Sequence, residues 1–291
     1  MQVESNPLSA RVTRVVEQST GKSVVSAVTL AGGIADAKHV VLSDGTQVVV
    51  KLPKDSSDDL AIEGATMEYL KRRTELPVPE VYYSGTDALV HEYIAADGTL
   101  SVDCEPEAAE HLAKLHAVTS DFYGFDFDTL RGGVRQPNAK SVKWVPFFTQ
   151  NRLLYMARLA YESGNLPSEM RARIDKFAEN TEKYLDEPPR PALLHGDISA
   201  TTILCREGRV RSFVDPAIFF GDPEFEFAFV GEQPSLSKIF YDKYRERHVF
   251  RSGFFEYRQS IYSLYPLLLN VKVRGDGFLP HIDVVLKRFG F

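Results

Sequence analysis

Cysteine and tryptophan are scarce in this sequence of 291 residues, which contains two cysteines and one tryptophan. Cys104 and Cys205 lie far apart, outside any metal-ligand spacing, and two thiols are too few for a disulfide framework. We therefore expect both to be small, buried apolar residues of a protein in a reducing compartment. Lys plus Arg total 34 against 40 for Asp plus Glu, a net charge of −6. The absence of a basic excess argues against nucleic acid as a partner.

Long apolar segments are also missing. No apolar run comes near the roughly 18 residues that a membrane-spanning helix needs, and no positive segment followed by an apolar stretch opens the chain. We therefore expect a soluble, cytoplasmic protein that has no membrane partner. Hydrophobic residues make up 44% and charged residues 25%, which is ordinary globular composition and argues against a disordered or fibrous chain. The length suits two domains or one large two-lobed domain.

The first part of the chain has the pattern of a small β-sheet. Val40-Val41-Leu42 and Val48-Val49-Val50 flank Ser43-Asp44-Gly45-Thr46, whose Asp-Gly pair suits a tight hairpin turn. Further strands are predicted at residues 24–30, 81–83 and 88–90, and one helix is predicted at residues 58–73. These elements predict a β-rich lobe with one helix over residues 1–94.

Beyond residue 94 the spacing of apolar residues becomes helical. Pro106 stands near a predicted helix start, and Phe147, Leu154 and Ala157 follow at helical steps. Short strands interrupt this pattern at residues 192–194, 203–205 and 210–214. The C-terminal part is again helical, with breaks predicted at Pro266, Gly275 and Gly277. Residues 95–291 are therefore predicted to form a larger, mostly helical second lobe, a layout that suits nucleotide binding in the cleft between the lobes.

Three features of the first lobe suit phosphate binding. Lys51 ends the strand Val48-Val49-Val50, which resembles the Val-Ala-Ile-Lys strand whose lysine contacts nucleotide phosphates, and Glu63 on the next helix can pair with it. In isolation each is more often a solvated surface residue. Gly32 and Gly33 could let the backbone approach phosphates, although such a pair is as often a plain hairpin connection.

The most informative segments contain two aspartates. Leu193-Leu194-His195-Gly196-Asp197 and Phe213-Val214-Asp215-Pro216-Ala217 place Asp197 and Asp215 at the ends of neighbouring short strands. One carboxylate can take the proton of an acceptor hydroxyl while the other holds Mg²⁺ on nucleotide phosphates. Strand-end aspartates are common turn residues, but the order Lys51, Glu63, Asp197, Asp215 indicates a phosphotransferase.

The sequence resembles the fructosamine kinase (ketosamine kinase) family, within the larger aminoglycoside-phosphotransferase-like group of small-molecule kinases. The resemblance extends over nearly the whole chain and is most specific at Gln136-Pro137-Asn138, Trp144 and Asp215-Pro216-Ala217. It implies an α+β, two-lobed protein-kinase-like fold. It also implies transfer of the γ-phosphoryl group of ATP, with Mg²⁺, to a sugar hydroxyl of a ketosamine, which is a small-molecule or protein-bound glycated amine.

Residue by residue, the resemblance implies that Asp197 is the catalytic base, that Asp215 binds Mg²⁺ and that Lys51, paired with Glu63, contacts the phosphates. The backbone of Glu92 and Ile94 would contact the adenine edge. His195 is expected to brace the catalytic loop and His116 to be a satisfied core histidine. Asp222 and Glu224 are candidates for anchoring the catalytic segment through backbone hydrogen bonds, or are simple turn formers.

The chain departs from the kinase pattern in the catalytic loop. Thr202 stands where a kinase has an Asn that holds a second Mg²⁺, so we expect its hydroxyl to meet the cation, directly or through water, or Asp215 to hold the metal alone. The family's loop Trp is missing from Ile198-Ser199-Ala200-Thr201, and Glu226 stands where the family mostly has Asp. These changes predict an altered rate or substrate.

Two alternatives remain open at this point. A related kinase acting on an aminoglycoside, choline or a similar amino alcohol would use the same machinery, and the missing loop Trp leaves that possibility open. A nucleotide-binding protein that has lost catalysis is the second alternative, and Thr202 is its sole support. Product formation separates these alternatives, because a pseudokinase would be stabilised by ATP without phosphorylating anything.

Overall fold

A five-stranded antiparallel sheet forms the N-terminal part of the computed structural model, which describes residues 8–30, 36–53, 59–228 and 236–291. Its spatial order is β1-β2-β3-β5-β4. The strands are β1 (Val24–Thr29), β2 (Asp36–Leu42), β3 (Gln47–Leu52), β4 (Val81–Ser84) and β5 (Leu89–Glu92). All five strands and the hairpin between β2 and β3 agree with the sequence prediction.

Two helices pack beside this sheet, whereas the sequence analysis predicted one. The predicted helix is α2 (Leu60–Arg73), and α1 (Ala10–Thr20) was missed. Ser9 caps α1 by accepting the Val12 N–H, and Gly21 ends it with a left-handed φ of 70°. Its β-branched residues favour a strand locally. Burial of one face against the sheet, with Val16 fully buried, outweighs that preference.

The rest of the chain is mostly helical, and the predicted α+β fold is confirmed. Its helices are α3 (Glu105–His116), α4 (Trp144–Phe148), α5 (Tyr155–Glu162), α6 (Ser168–Ala178), α7 (Lys238–Arg245), α8 (Gln259–Arg274) and α9 (Leu279–Arg288). A π-helical segment, Thr149–Leu154, joins α4 to α5. None of the helices in the described ranges is long and apolar enough to cross a bilayer.

Pro266 does not break the C-terminal helix, contrary to the sequence prediction. It lies inside α8, where residues on both sides of it are buried, and the side-chain amide of Asn270 donates to its carbonyl at 2.9 Å. A proline removes one backbone donor and crowds the preceding turn, but packing along the whole length of α8 holds the helix together. Gly275 ends α8, as predicted.

Seven short strands accompany the helices and shape the site. They are β6 (Gly98–Thr99), β7 (Thr129–Arg131), β8 (Val134–Gln136), β9 (Ala192–Leu194), β10 (Ile203–Arg206), β11 (Arg209–Phe213) and β12 (Phe219–Gly221). Strands β11, β10 and β6 form one sheet, β12 pairs with β9, and β7 pairs with β8. Strands β9, β10 and β11 were predicted. Cys104 and Cys205 are buried free thiols, as expected.

An ionic cluster is buried in the helical part. Arg258 is fully buried, and its Nε donates to Glu224 Oε2 at 2.7 Å. Arg251 donates to Asp222 and, at 2.9 Å, to Glu224. Asp222 and Glu224 were candidates for anchoring the catalytic segment or for forming a turn. In the described structure their carboxylates bind these arginines, and Asp222 also forms a turn by accepting the Glu224 N–H at 3.0 Å. A buried carboxylate requires such partners because its desolvation is costly.

We predict that Arg258→Met lowers the free energy of unfolding by about 3 kcal/mol, because it leaves buried Glu224 with one arginine fewer. Urea denaturation followed by the fluorescence of Trp144 measures the loss; the indole Nε1 of Trp144 donates to Tyr262 at 2.8 Å, next to the cluster. The control Arg158→Met removes an exposed helical ion pair and should cost at most about 0.5 kcal/mol. Equal losses in the two variants would contradict the prediction.

Candidate active site

A cavity of about 500 Å³ lies between the five-stranded sheet and the helical part. The structure brings six of the predicted site residues to its wall: Lys51, Glu63, Glu92, Ile94, Asp197 and Asp215. Gly32 and Gly33 lie outside the described residues. A cavity of this volume, with convergent charged groups, has the size and chemistry of a small-molecule site.

Lys51 reaches the cavity because of the alternation of side chains along β3. Val48 and Val50 face α1 and are fully buried, so Val49 and Lys51 face the opposite side, where the cavity lies. The Lys51 Nζ atom lies 2.5 Å from a carboxylate oxygen of Glu63, in the first turn of α2. Local strand geometry and the start of one helix thus produce the predicted ion pair.

Lys51 also contacts Asp215, and this second contact links the sheet to the helical part. The Nζ atom lies 2.5 Å from Asp215 Oδ1, and the Lys51 side chain is only 13% exposed. Burial disfavours the ammonium charge, but the carboxylates of Glu63 and Asp215 outweigh burial and raise the pKa of Lys51 above its ordinary value. Lys51 is therefore a fixed positive charge over the physiological pH range.

Asp215 lies in the turn between β11 and β12 with a φ of 56°, an uncommon conformation for a residue other than glycine. Burial acts to raise the pKa of its carboxyl group, but Lys51 outweighs burial and the net shift is downward. The side chain is about half exposed. An ionised carboxylate is thus presented to the cavity on a constrained turn.

The residues around Asp215 are suited to a metal ion that is bound partly by the phosphates of a nucleotide. Among the described residues, no group of three or more His, Cys, Asp or Glu side chains could hold a metal ion. Mg²⁺ is commonly bound by one or two carboxylates, with phosphate oxygens and water completing its shell. Asp215 could supply the carboxylate of such a site. The donor set therefore fits Mg²⁺ bound together with a nucleotide better than a metal site built from protein alone.

Asp197 lies in the loop after β9 and is contacted by a residue that sequence reasoning missed. Both Nε and Nη2 of Arg131, in the β7–β8 hairpin, lie 3.1 Å from Asp197 Oδ1. Burial disfavours the guanidinium charge of Arg131, but Asp197 outweighs burial and raises its pKa. Neither strand of this hairpin was predicted, and the adjacent Gly132 and Gly133 were the only local sign of a turn.

The backbone beside Asp197 is anchored by Glu226, not by Asp222 or Glu224. The buried Glu226 carboxylate accepts the His195 N–H at 2.7 Å and the Gly196 N–H at 2.9 Å. Burial would raise the pKa of Glu226, but its histidine and backbone partners outweigh burial and lower it. Glu226 therefore stays ionised and fixes the backbone of the loop. A Glu at this position, in place of the family's Asp, still binds two N–H donors.

Two buried histidines, His195 and His116, lie near Glu226. His195 is fully buried, and burial is the main cause that lowers its pKa, so the ring is neutral. The Nδ1 atom of buried His116 lies 2.6 Å from the Tyr244 hydroxyl, and its Nε2 lies 3.5 Å from Glu226. His116 is thus a core histidine, as expected, but only its Nδ1 atom is hydrogen-bonded; among the described residues Nε2 has no hydrogen-bond partner and only the longer contact with Glu226.

Gly196 allows the catalytic loop to touch the turn that carries Asp215. Its φ is 84°, and a Cβ atom there would lie 2.0 Å from the carbonyl oxygen of Ala217. The Ala217 N–H donates in turn to the His195 carbonyl at 2.8 Å. Glycine is therefore required both by the left-handed backbone and by the close approach of the two segments.

Thr202 does not reach the cavity, and the predicted metal contact is not supported. Its buried hydroxyl accepts the Ser199 N–H at 2.9 Å and donates to the Asp197 carbonyl at 2.9 Å. The cavity wall contains the neighbouring Thr201 instead. A hydroxyl that is already used as donor and acceptor inside the loop braces the backbone of the loop and has little capacity left for a cation.

The segment from His91 to Ile94 has unused polar groups at the cavity. Within the described ranges, the Ile94 N–H makes no hydrogen bond, and Nε2 of buried His91 has no hydrogen-bond partner. The other ring nitrogen of His91 lies 2.9 Å from the Glu92 carbonyl. A heterocyclic base with polar edges could meet such groups, which is consistent with the predicted adenine contact.

A comparison with protein families identifies this arrangement. The model of the family described as fructosamine kinase matches residues 8–289, nearly the whole chain. The chain belongs to the fructosamine kinase family. It is accordingly an ATP-dependent phosphotransferase whose acceptor is a hydroxyl group. The resemblance noted in the sequence is thereby confirmed.

Curated relatives of this kinase agree with the family. A probable ketoamine kinase of Pasteurella multocida is 30% identical over 256 residues, which cover 86% of each chain. A probable ketoamine kinase of Klebsiella aerogenes is 32% identical over 224 residues, covering 75% of this chain and 76% of the relative. The similarity is therefore not confined to one lobe.

Solved structures show the same fold. A Thermobifida fusca protein assigned as a fructosamine-3-kinase superposes with a TM-score of 0.83 at 23% identity, covering 95% of this kinase and 97% of that chain. An aminoglycoside phosphotransferase in complex with gentamicin superposes with a TM-score of 0.65 at 19% identity, over 97% of both chains. These likenesses confirm the protein-kinase-like fold.

We predict that Thr202→Val lowers kcat about 10-fold or more without changing the Mg²⁺ requirement of the kinase, because the hydroxyl holds the loop and not the metal. Mg²⁺ titrations of the initial rate test this. Loss of a group that supports a metal would weaken metal affinity by about 10- to 100-fold. Asp215→Asn changes the predicted Mg²⁺ ligand, and we expect it to show such a shift. A comparable shift in Thr202→Val would restore Thr202 as a metal contact.

A separate prediction concerns His91 and the loss of stability at acid pH. Burial, and then the charge of Lys51, lower the pKa of His91 to about 4, so the folded state resists a proton that the unfolded chain accepts near pH 6.5. Stability due to neutral His91 is thus complete above about pH 6.5 and is lost as the pH falls towards 4. His91→Gln should remove about 2 to 3 kcal/mol of the loss between pH 7 and pH 4.5.

Urea unfolding of the wild type and of His91→Gln at both pH values gives the comparison. His281→Gln, which replaces an exposed histidine, is the control and should follow the wild type. If His91→Gln loses as much stability on acidification as the wild type does, the histidine is not held neutral by its surroundings.

Proposed function

We propose that this kinase phosphorylates a sugar hydroxyl of a ketosamine, with Asp197 as the catalytic base and Asp215 as the Mg²⁺ ligand. The observation that carries the proposal is the meeting of Lys51, Glu63, Asp197 and Asp215 at one cavity. The names of the curated relatives, ketoamine kinases, support the acceptor class. The proposed acceptor is a ketosamine or glycated amine, free or bound to protein, and no nucleic acid partner is proposed.

Nucleotide binding is assigned to the wall formed by the sheet. Lys51, held by Glu63, contacts the phosphates, and the backbone at Glu92 and Ile94 contacts the adenine edge. Gly32 and Gly33, which stand between β1 and β2 in the sequence, are included in the proposal as further phosphate contacts. The open N–H of Ile94 supports this orientation because it offers a donor to a base nitrogen. The boundary between the two lobes falls in this proposal after residue 94, so the lobes are residues 1–94 and 95–291.

The chemistry of transfer needs charge and alignment from the protein. Bound ATP supplies the phosphoryl group, and Mg²⁺ offsets the charge of its phosphates. Asp197 receives the proton of the acceptor hydroxyl and orients that oxygen. Lys51 holds the phosphates at the sheet, and Asp215 faces them from the helical part. Because phosphoryl transfer depends mainly on positioning and charge, these fixed side chains account for most of what the reaction requires.

The two alternative functions give different results in the same assay. A kinase for aminoglycosides, choline or similar amino alcohols would form product with those acceptors and not with fructosyl-lysine. A nucleotide-binding pseudokinase would show ATP-dependent thermal stabilisation and no phosphorylated product with any acceptor. The retained Lys51, Glu63, Asp197 and Asp215 favour an active enzyme. A panel of ketosamines, amines and sugars, read by phosphorylated product, decides among these functions.

We predict that Asp197→Asn lowers kcat for phosphorylation of fructosyl-lysine by at least about 100-fold, since Asn cannot accept the proton of the acceptor hydroxyl. ATP should still raise the melting temperature of the variant, because the nucleotide contacts lie on the sheet side. Product is measured by mass spectrometry and ATP binding by thermal shift. A variant that keeps the wild-type kcat would refute the role of Asp197 as base.

A further inference from the structure

The hairpin formed by β7 and β8 lies beside Asp197, the proposed catalytic base, and has no role in the mechanism proposed above. Strands β7 and β8 carry Arg131, and both Nε and Nη2 of Arg131 lie 3.1 Å from the same oxygen, Asp197 Oδ1. Among the described residues, no other group donates a hydrogen bond to the Asp197 side chain, which is 28% exposed. One carboxylate oxygen is therefore held by the fork of the guanidinium, and the other, Oδ2, is left for a further donor.

We propose that Arg131 is a positioning residue for phosphoryl transfer, which fixes Oδ1 of Asp197 so that Oδ2 faces the acceptor hydroxyl. This inference rests on the proposed role of Asp197 as base. A free carboxylate rotates about its last side-chain bond, whereas one that accepts the Arg131 Nε–H and lies 3.1 Å from the charged Nη2 is held in one orientation. The oxygen that binds the acceptor hydroxyl is then already in place, so less rotational freedom has to be lost on the way to the transition state.

The hairpin can hold Arg131 firmly because it is tied to the turn that carries Asp215. The buried amide Nε2 of Gln136, in β8, donates to the Ala217 carbonyl at 3.0 Å. The Gln136 amide oxygen accepts the Tyr265 hydroxyl at 2.8 Å, and the Arg131 guanidinium lies over the Tyr265 ring, 5.3 Å from its centre. Arg131 therefore projects from a support that shares contacts with the proposed metal-binding turn.

The catalytic loop itself does not hold the Asp197 carboxylate. The only atom of Asp197 that the Thr202 hydroxyl binds is the main-chain carbonyl oxygen, and Glu226 binds the backbone of the two residues before Asp197. Residues 198–202, which follow Asp197 in the loop, include no aromatic side chain that could pack against it. The backbone of the loop is thus braced from within, while the orientation of the carboxylate depends on the hairpin.

Phosphoryl transfer depends more on the orientation of the base than on its strength. In phosphoryl transfer the transition state is loose, and little proton removal is needed before the phosphoryl group moves. A misplacement of reacting groups by about 1 Å costs about 100-fold in rate, whereas the proton affinity of the carboxylate enters only in part. We therefore expect orientation to dominate and loss of Arg131 to slow the reaction.

The test compares Arg131→Met and Arg131→Lys with the matched control Arg135→Met. Arg135 lies in the same hairpin but is exposed and pairs with Asp128 at 2.8 Å. We expect Arg131→Met to lower kcat about 100-fold with the KM for ATP unchanged, because Arg131 is not in the wall of the cavity. Arg131→Lys should be intermediate, because an ammonium group lacks the planar fork. Arg135→Met should keep kcat within about two-fold, as expected for a surface ion pair.

Chemical rescue separates positioning from a merely structural role. Millimolar guanidinium chloride should restore part of the kcat of Arg131→Ala, whereas urea, a neutral molecule of similar shape, should not. The inference is overturned if Arg131→Met keeps its kcat, if the loss appears in the KM for ATP, or if guanidinium fails to rescue. A melting temperature that falls in parallel with kcat in every Arg131 variant also overturns it.

The acceptor and the role of Arg131 are tested separately. Fructosyl-lysine is the first acceptor. If the wild type phosphorylates another acceptor instead, the proposed acceptor class fails, and the Arg131 variants are compared with that acceptor. If the wild type only hydrolyses ATP, the comparison uses water as the acceptor, whose orientation also depends on Asp197. A wild type with no turnover of ATP refutes both the proposed function and the role of Arg131.

Discussion

The pairing of β9 with β12 is the constraint on which the rest of the site depends. Leu194, at the end of β9, lies opposite Phe219, at the start of β12, so the loop that follows β9 and the turn that precedes β12 leave the pair at one end. Asp197 and Asp215 lie on these two segments. Glu226 then fixes the first segment through two backbone N–H groups. Two strands of three residues thus determine where both acidic side chains can lie.

Charge in the cavity is organised around Lys51. Its ammonium lies 2.5 Å from an oxygen of Glu63 and 2.5 Å from an oxygen of Asp215, so it joins the sheet to the turn that is proposed to bind metal. Nucleotide binding as proposed above would therefore involve an exchange of ionic partners, in which Lys51 turns partly from Asp215 to the phosphates. Glu63 keeps the lysine in place during such an exchange because it holds the same ammonium from α2.

Local patterns predicted most of the fold, whereas tertiary contacts determined what was missed. The β2–β3 hairpin has an Asp-Gly turn between apolar strands, and such a signal does not depend on the rest of the chain. Helix α1 was missed because its β-branched residues favour a strand until they are packed against the sheet. Pro266 was predicted as a break because its local effect is adverse, yet burial along α8 outweighs that effect.

The candidate site divides in the same way. Lys51, Glu63, Asp197 and Asp215 could be found because each has a characteristic position relative to a strand or helix. Arg131 could not, because it meets Asp197 only through a hairpin far away in the sequence. Thr202 was predicted from its position in a motif, but its hydroxyl is engaged by its own loop. Assigning Glu226 required knowing which of three nearby acids faces the loop.

The contact between Gly196 and Ala217 limits which substitutions the sequence can accept at position 196. The atom that a new side chain at position 196 would strike is a main-chain oxygen, and every amino acid carries that oxygen. No replacement at position 217 can therefore make room, and a second substitution cannot repair the first. Position 196 therefore accepts only glycine.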